Sequence, residues 1–231
     1  MGVAKPLAIT VTLLALRGVG GVVGDGLARS AAQDEVARQL QSELGLPQRP
    51  EVELGGVPFT AVVVTRRLPS AAVSGVDVPL EISGAALSLD RVAVQATDLV
   101  LGNGQVVVTE VTGEAVLGYP ALTTLVGVPV ADAGQPGRLQ VSYTAELFGG
   151  ERVAAVTARP VLVDGAIELT EPQITIVGIE LGQDVSRRII EQLVSPIAFE
   201  LPSGVVADSI AVDAAGLTLD LSARELVVPL G

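Results

Sequence analysis

Residues 86–117 read ALSLDRVAVQATDLVLGNGQVVVTEVTGEAVL, and the fold turns on how this stretch is read. Leu87 and Leu89 share one face of an extended chain. Asp90-Arg91 then carries the apolar phase to Val92, Val94 and Ala96, and Thr97-Asp98 carries it on to Leu99 and Leu101. Alternation with period two marks a strand with one apolar face. A phase slip without a break predicts a bulge, which bends a strand without ending it. Gly102-Asn103-Gly104 tolerates positive φ, so the chain can reverse as a hairpin. Val106, Val108 and Val111 continue the apolar face on the return strand. The expectation is a long, bent antiparallel ribbon with one aliphatic face.

Downstream, Tyr119-Pro120 opens a short helical piece with Leu122, Leu125 and Val126 on one side, and 131–137 is a loop rich in small residues. Strands resume with Leu139, Val141 and Tyr143, then 153–163, then a hairpin at Asp164-Gly165 followed by Ile167 and Leu169. Residues 184–195 predict a helix capped by Asp184 and stopped by Pro196. Its stripe of Val185, Ile189 and Leu193, broadened by Ile190 and Val194, requires an apolar partner: the sheet alone, or the sheet plus a lipid. Ile210, Val212, Leu217, Leu219 and Leu221 then alternate as strands to the end.

Upstream, residues 30–44 predict a helix from Ser30, with Gln33 at capping-box spacing and Gly45 and Pro47 as stops. Val36, Leu40 and Leu44 form its narrow apolar stripe. Val52 and Leu54 alternate with Glu51 and Glu53 as a strand. After Gly55-Gly56 the run VPFTAVVV reads as a strand buried on both faces or bordering a ligand cavity. Arg66-Arg67 reads either as a solvated strand end or as a contact for lipid phosphate. Lys5 followed by the mostly apolar run 7–16 fits an export signal. That run is short for a membrane-spanning helix, which needs roughly twenty residues. Residues 1–25 are therefore expected to be a signal peptide or an N-terminal membrane anchor, and 26–231 a single domain.

Composition narrows the chemistry. Apolar residues make up 49% but aromatics 2%, with no Trp, so the core is built from Val, Leu, Ile and Ala. The same poverty weakens any base-stacking or carbohydrate-platform reading. A formal charge of −12, with Lys5 the sole lysine, argues against nucleic acid. The absence of histidine excludes Ser-His-Asp triads and His-based metal centres, and the absence of cysteine excludes thiol nucleophiles and thiolate zinc sites. Paired carboxylates remain conceivable, but Glu51, Glu53, Asp90, Glu110 and Glu114 occupy polar strand phases. No catalytic residue, metal site or cofactor is expected.

The chain resembles the LmeA-like phospholipid-binding proteins of the actinobacterial cell envelope. The likeness is carried by QLQSELGLPQRP (39–50), Gly56-Val57-Pro58-Phe59, the ribbon LSLDRVAVQATDLVL (87–101), Gly113-Glu114-Ala115 with Tyr119 and Leu122, Asp164-Gly165, and the close from LPSG to GLTLDL (201–221). Val57 and Thr60-Ala61-Val62 depart from the family's Gly-Phe-Pro-Phe and Leu-Thr-Gln pattern. The resemblance implies an α+β, β-rich fold in which a long bent antiparallel sheet wraps a helix, as in tubular (BPI-like) lipid-binding modules. It also implies a periplasmic place and a role supporting lipid-linked glycan (mannan-type) assembly, with no catalytic residues.

The sequence thus predicts a non-enzymatic binder of phospholipid or another acyl lipid, exported to the cell envelope and with membrane association through its N-terminus. The expected apolar lining is Phe59, Val62, Val64, Leu122, Leu125, Val185, Ile189 and Leu193. The alternative is a structural or interaction module of the envelope whose core is closed and holds no ligand.

Overall fold

A computed structural model describes residues 25–56, 58–82, 85–102, 105–147, 150–163, 166–176, 179–180, 197–198 and 204–229. Helix α1 (Asp25–Leu44) leads through β1 (Glu51–Leu54) and α2 (Phe59–Thr65) into three long strands, β2 (Arg67–Ile82), β3 (Ala85–Leu101) and β4 (Gln105–Gly118). Helix α3 (Tyr119–Val126) then opens a second sheet made of β5 (Val130–Asp132), β6 (Leu139–Leu147), β7 (Gly150–Val163), β8 (Ala166–Ile176), β9 (Ile179–Glu180) and β10 (Ile197–Ala198). β11 (Val205–Val212) and β12 (Gly216–Pro229) return to the first sheet, whose order is β1-β2-β3-β4-β12-β11. The second sheet runs β10-β8-β7-β6-β5, with β9 also paired to β8. Among the described residues all the pairings are antiparallel. The fold is β-rich α+β, built on a long antiparallel sheet as expected, with a second sheet beside it and, among the described residues, no closed barrel.

The ribbon bends where the apolar phase slips. Two buried rows cross the four central strands in direct register, Leu68–Leu99–Val108–Leu226 and Ala71–Ala96–Val111–Ala223. In each strand the two buried residues stand three positions apart instead of two. Between them lie Asp98 and Glu225, whose φ of 49° and 51° is left-handed. The pairing register does not change across this line, which corrects the expected bulge. No strand inserts a residue opposite its neighbour; all four crease together and the ladder is kept. The earlier slip, at Asp90-Arg91, faces Asp77 on β2, which has φ 52°. True register shifts occur elsewhere, between Ala207 and Ser209 on β11 and between Thr157 and Arg159 on β7.

The crease wraps the sheet around α1. Ala32, Val36, Ala37 and Leu40 are buried against Val73, Ala96, Leu99, Val108, Val111 and Leu226. Fully burying a Val or Leu side chain contributes about 1.5–3 kcal/mol, so Val36 and Leu40 alone hold this helix firmly. The helix begins before Ser30. That residue sits inside it and donates from Oγ to the Gly26 carbonyl at 3.0 Å, the back-bonding geometry of an interior serine rather than a cap. The expected stop is present: Gly45 is left-handed (φ 62°) and the Leu46 N–H donates to the Gln41 carbonyl at 3.0 Å.

Residues 59–65 form α2, not the strand expected of VPFTAVVV. Phe59 and Val62, three apart, are buried in the α1 core at 1% and 6% exposure, while Val64 is 84% exposed. Packing of one helical face thus overrides the β preference of the valines, and a short apolar run does not declare its own period. Residues 1–24 and the helix expected at 184–195 lie outside the described residues. Among the described residues no helix is long and apolar enough to cross a membrane.

Candidate functional site

Among the described residues the core under α1 is closely filled. The Arg29 guanidinium lies 5.7 Å from the centroid of the Phe59 ring and donates to the Gly56 carbonyl, pinning α2 against α1. Beneath the C-terminal half of α1 an apolar crevice of about 20 Å³ is lined by Leu40, Leu44, Leu46, Val73, Val78 and Val92. That is room for about one water molecule, far below the roughly 300–1,000 Å³ of a ligand pocket.

A second apolar cluster forms where the two sheets and α3 meet. Leu117, Leu122, Val130, Leu139, Val141, Ile167 and Leu217 are buried there. Around them stand Leu89, Leu125, Leu169, Ile210, Val212 and Leu219, all half-buried. Among the described residues this cluster has more half-buried than buried apolar side chains, whereas in the α1 core the buried ones far outnumber the half-buried. Apolar side chains left half-covered on the walls of a junction offer area to an acyl chain without need of directed hydrogen bonds.

Polar contacts fix the frame of the junction. Gly118 precedes α3 and Gly127 ends it with φ 78°, its N–H donating to the Thr123 carbonyl at 2.9 Å. The Val130 N–H donates to Thr123 Oγ1 at 2.9 Å, tying β5 to the helix. The Tyr119 hydroxyl donates to the Asp213 carbonyl at 2.7 Å, joining α3 to the turn before β12. Burial pushes the Tyr119 phenol above its ordinary value of 10.0, and the nearby carboxylates of Asp132 and Asp213 add to the shift.

A wider concavity of about 500 Å³ lies on the outward face of the first sheet. Its floor is the in-register row Glu51–Ser74–Ala93–Glu114–Asp220 with Ala72, Gln95 and Thr112 beside it. Carboxylates at both sides make it unsuited to an acyl chain. Among the described residues no group of His, Cys, Asp or Glu is arranged to hold a metal ion.

The residues singled out from the sequence fall into separate places. Phe59 and Val62 belong to the closed α1 core, and Val64 faces solvent. Leu122 is buried in the junction and Leu125 half-buried on its wall. Val185, Ile189 and Leu193 lie outside the described residues. Among the described residues Phe59 and Leu125 thus stand in separate apolar clusters. Leu89, Leu169, Ile210 and Leu219 were visible as apolar strand phases, but their meeting at the junction depends on β11 and β12 returning to the first sheet.

A family model described as LmeA-like phospholipid-binding matches residues 23–222. No curated protein and no solved structure matches the chain.

Proposed function

Because the chain belongs to the LmeA-like phospholipid-binding family, we propose that it is a non-enzymatic lipid-binding protein of the cell envelope that takes acyl chains at the junction of its two sheets. The observation that carries this reading is the half-buried wall of Leu89, Leu125, Leu169, Ile210, Val212 and Leu219. Each methylene moved from water onto such a wall contributes about 0.8 kcal/mol, so a chain of a dozen or more carbons gains ample affinity from apolar burial alone. The family resemblance supports a place in lipid-linked glycan assembly, with the protein holding or presenting lipid rather than transforming it. Lys5 and the apolar run 7–16 support export, and a form lacking residues 1–24 is expected to remain in the cytoplasm.

The test is mass spectrometry of the organic extract of purified protein, before and after incubation with phospholipid vesicles. A stoichiometric phospholipid is expected. Protein that carries none and takes up none would favour the second reading, a closed structural module, which the 20 Å³ crevice under α1 supports. Asp90→Asn, Glu110→Gln and Glu114→Gln, one at a time, are expected to leave function near wild type; loss by orders of magnitude with the fold intact would favour an enzyme.

A further inference from the structure

Beyond the crease, the first sheet ends in a surface that the junction does not use. Its outward row runs Arg67–Val100–Val107–Val227 in direct register across β2, β3, β4 and β12. Arg67 is exposed, Val100 and Val107 are half-buried, and Val227 is 56% exposed. Just before this row the last turn of α2 carries Val64, 84% exposed, and its C-cap is Arg66, also exposed. Exposed valines thus share one end of the molecule with the two adjacent arginines.

Two features of those arginines bear on their use. Arg38, Arg49, Arg91, Arg138 and Arg159 are each tied to a carboxylate, whereas among the described residues Arg66 and Arg67, like Arg224 on β12, make no ion pair. The carboxylates next along the strands, Asp98 and Glu225, lie back at the crease. In addition, Arg66 occupies the left-handed C-cap of α2 (φ 54°), a position that suits glycine and that Gly127 fills at the end of α3. A long cationic side chain kept where glycine would be easier points to a use for the charge.

We propose that this end of the sheet docks the protein on an anionic phospholipid bilayer, with the Arg66 and Arg67 guanidinium groups on lipid phosphates and Val64 and Val227 in the boundary between headgroups and acyl chains. In a chain of net charge −12, a local pair of uncommitted cations beside aliphatic side chains is, among the described residues, a part whose charge complements such a surface. The proposal rests on the reading of the chain as a lipid binder and adds where it meets the membrane. Docking here would set the molecule end-on to the bilayer and leave the outward acidic concavity facing water.

The experiment is co-sedimentation of the full chain with vesicles of phosphatidylcholine alone and of phosphatidylcholine mixed equally with phosphatidylglycerol, at low and high salt. Each basic residue near an anionic surface contributes about five-fold in affinity, so Arg66→Gly with Arg67→Gln is expected to weaken binding to the anionic vesicles roughly thirty-fold. Glycine relaxes the left-handed cap, so the melting temperature of this variant is expected not to fall. Val64→Ser, at a solvent-facing position, is expected to weaken binding several-fold without a change in stability. The lipid recovered by organic extraction should be the same in all variants. Equal sedimentation of wild type with both vesicle types, or wild-type binding by the folded double variant, would overturn the docking surface. Lipid-free wild-type protein that still discriminates between the vesicles would overturn the acyl site and support the docking surface.

Discussion

Ala96 and Leu99 are three positions apart on β3 and are both buried in the α1 core, because Asp98 between them turns the strand with φ 49°. Their partners do the same: Ala71 and Leu68 on β2, Val111 and Val108 on β4, Ala223 and Leu226 on β12. A crease that all four strands share keeps the hydrogen-bond ladder in register while letting two rows of side chains converge on one helix. Curvature of the sheet is therefore set by a line of residues, not by a single defect.

The first prediction concerns that line. Asp98→Gly removes the side chain from a left-handed position and is expected to leave stability within about 1 kcal/mol of wild type. Asp98→Val places a β-branched residue at φ 49° and is expected to cost roughly 1–3 kcal/mol. Urea unfolding distinguishes them. Equal stability of the two variants would mean that the crease is set by packing on α1 and not by the backbone at Asp98.

Gly216 tests the junction. It has φ 145°, and a Cβ there would lie 2.3 Å from the Leu117 carbonyl oxygen and 2.8 Å from Gly118 Cα, both backbone atoms of β4. Since neither can move without breaking the β4–β12 ladder, Gly216→Ala is expected to cost roughly 2–4 kcal/mol. Gly127→Ala, at φ 78° with nothing within 4 Å of its Cβ, should cost about 1 kcal/mol by thermal melting.

Tyr119 supplies a pH dependence. Its phenol is raised above 10.0 by burial first and then by Asp132 and Asp213, so the folded protein keeps this proton to higher pH than the unfolded chain does. The associated stability is fully present below about pH 10, the unfolded value, and is lost as the pH rises through the folded value. Tyr119→Phe is expected to lose about 1 kcal/mol near neutrality through the missing bond to the Asp213 carbonyl. It should also show a shallower fall in melting temperature from about pH 8 to about pH 11. A parallel fall in both proteins would assign the alkaline loss to other groups.

What the sequence disclosed follows from what it records directly. The phase slip at Thr97-Asp98 is written into one strand, so the bend was legible even though its mechanism, a register-preserving crease, depends on β2, β4 and β12. The α3 stripe of Leu122 and Leu125 was legible for the same reason. The α2 helix was not, because Ala61-Val62-Val63-Val64 has the composition of a strand and its helical form comes from seating Phe59 and Val62 against α1. Least legible was the junction. Gly216 pairs with Gly118 across about a hundred residues, and no local pattern announces which earlier strand the last one will join.

That topology gives opposite expected behaviour to Phe59 and to Leu125, which shares the junction with Leu169. Phe59 is 1% exposed in a core that admits little more than one water, so Phe59→Leu is expected to cost about 1–2 kcal/mol and leave the lipid load unchanged. Leu125 and Leu169 are half-buried on the junction wall. Leu125→Ser with Leu169→Ser should cost about 1 kcal/mol each in stability and lower the phospholipid recovered per protein about ten-fold or more, since both remove apolar area an acyl chain would cover. Thermal melting and lipid quantification on the same preparations separate the two effects. If Phe59→Leu empties the protein while the double leucine variant stays loaded, the lipid lies between α1 and the creased sheet, and α1 must swing away from Leu99 and Val108 to admit it.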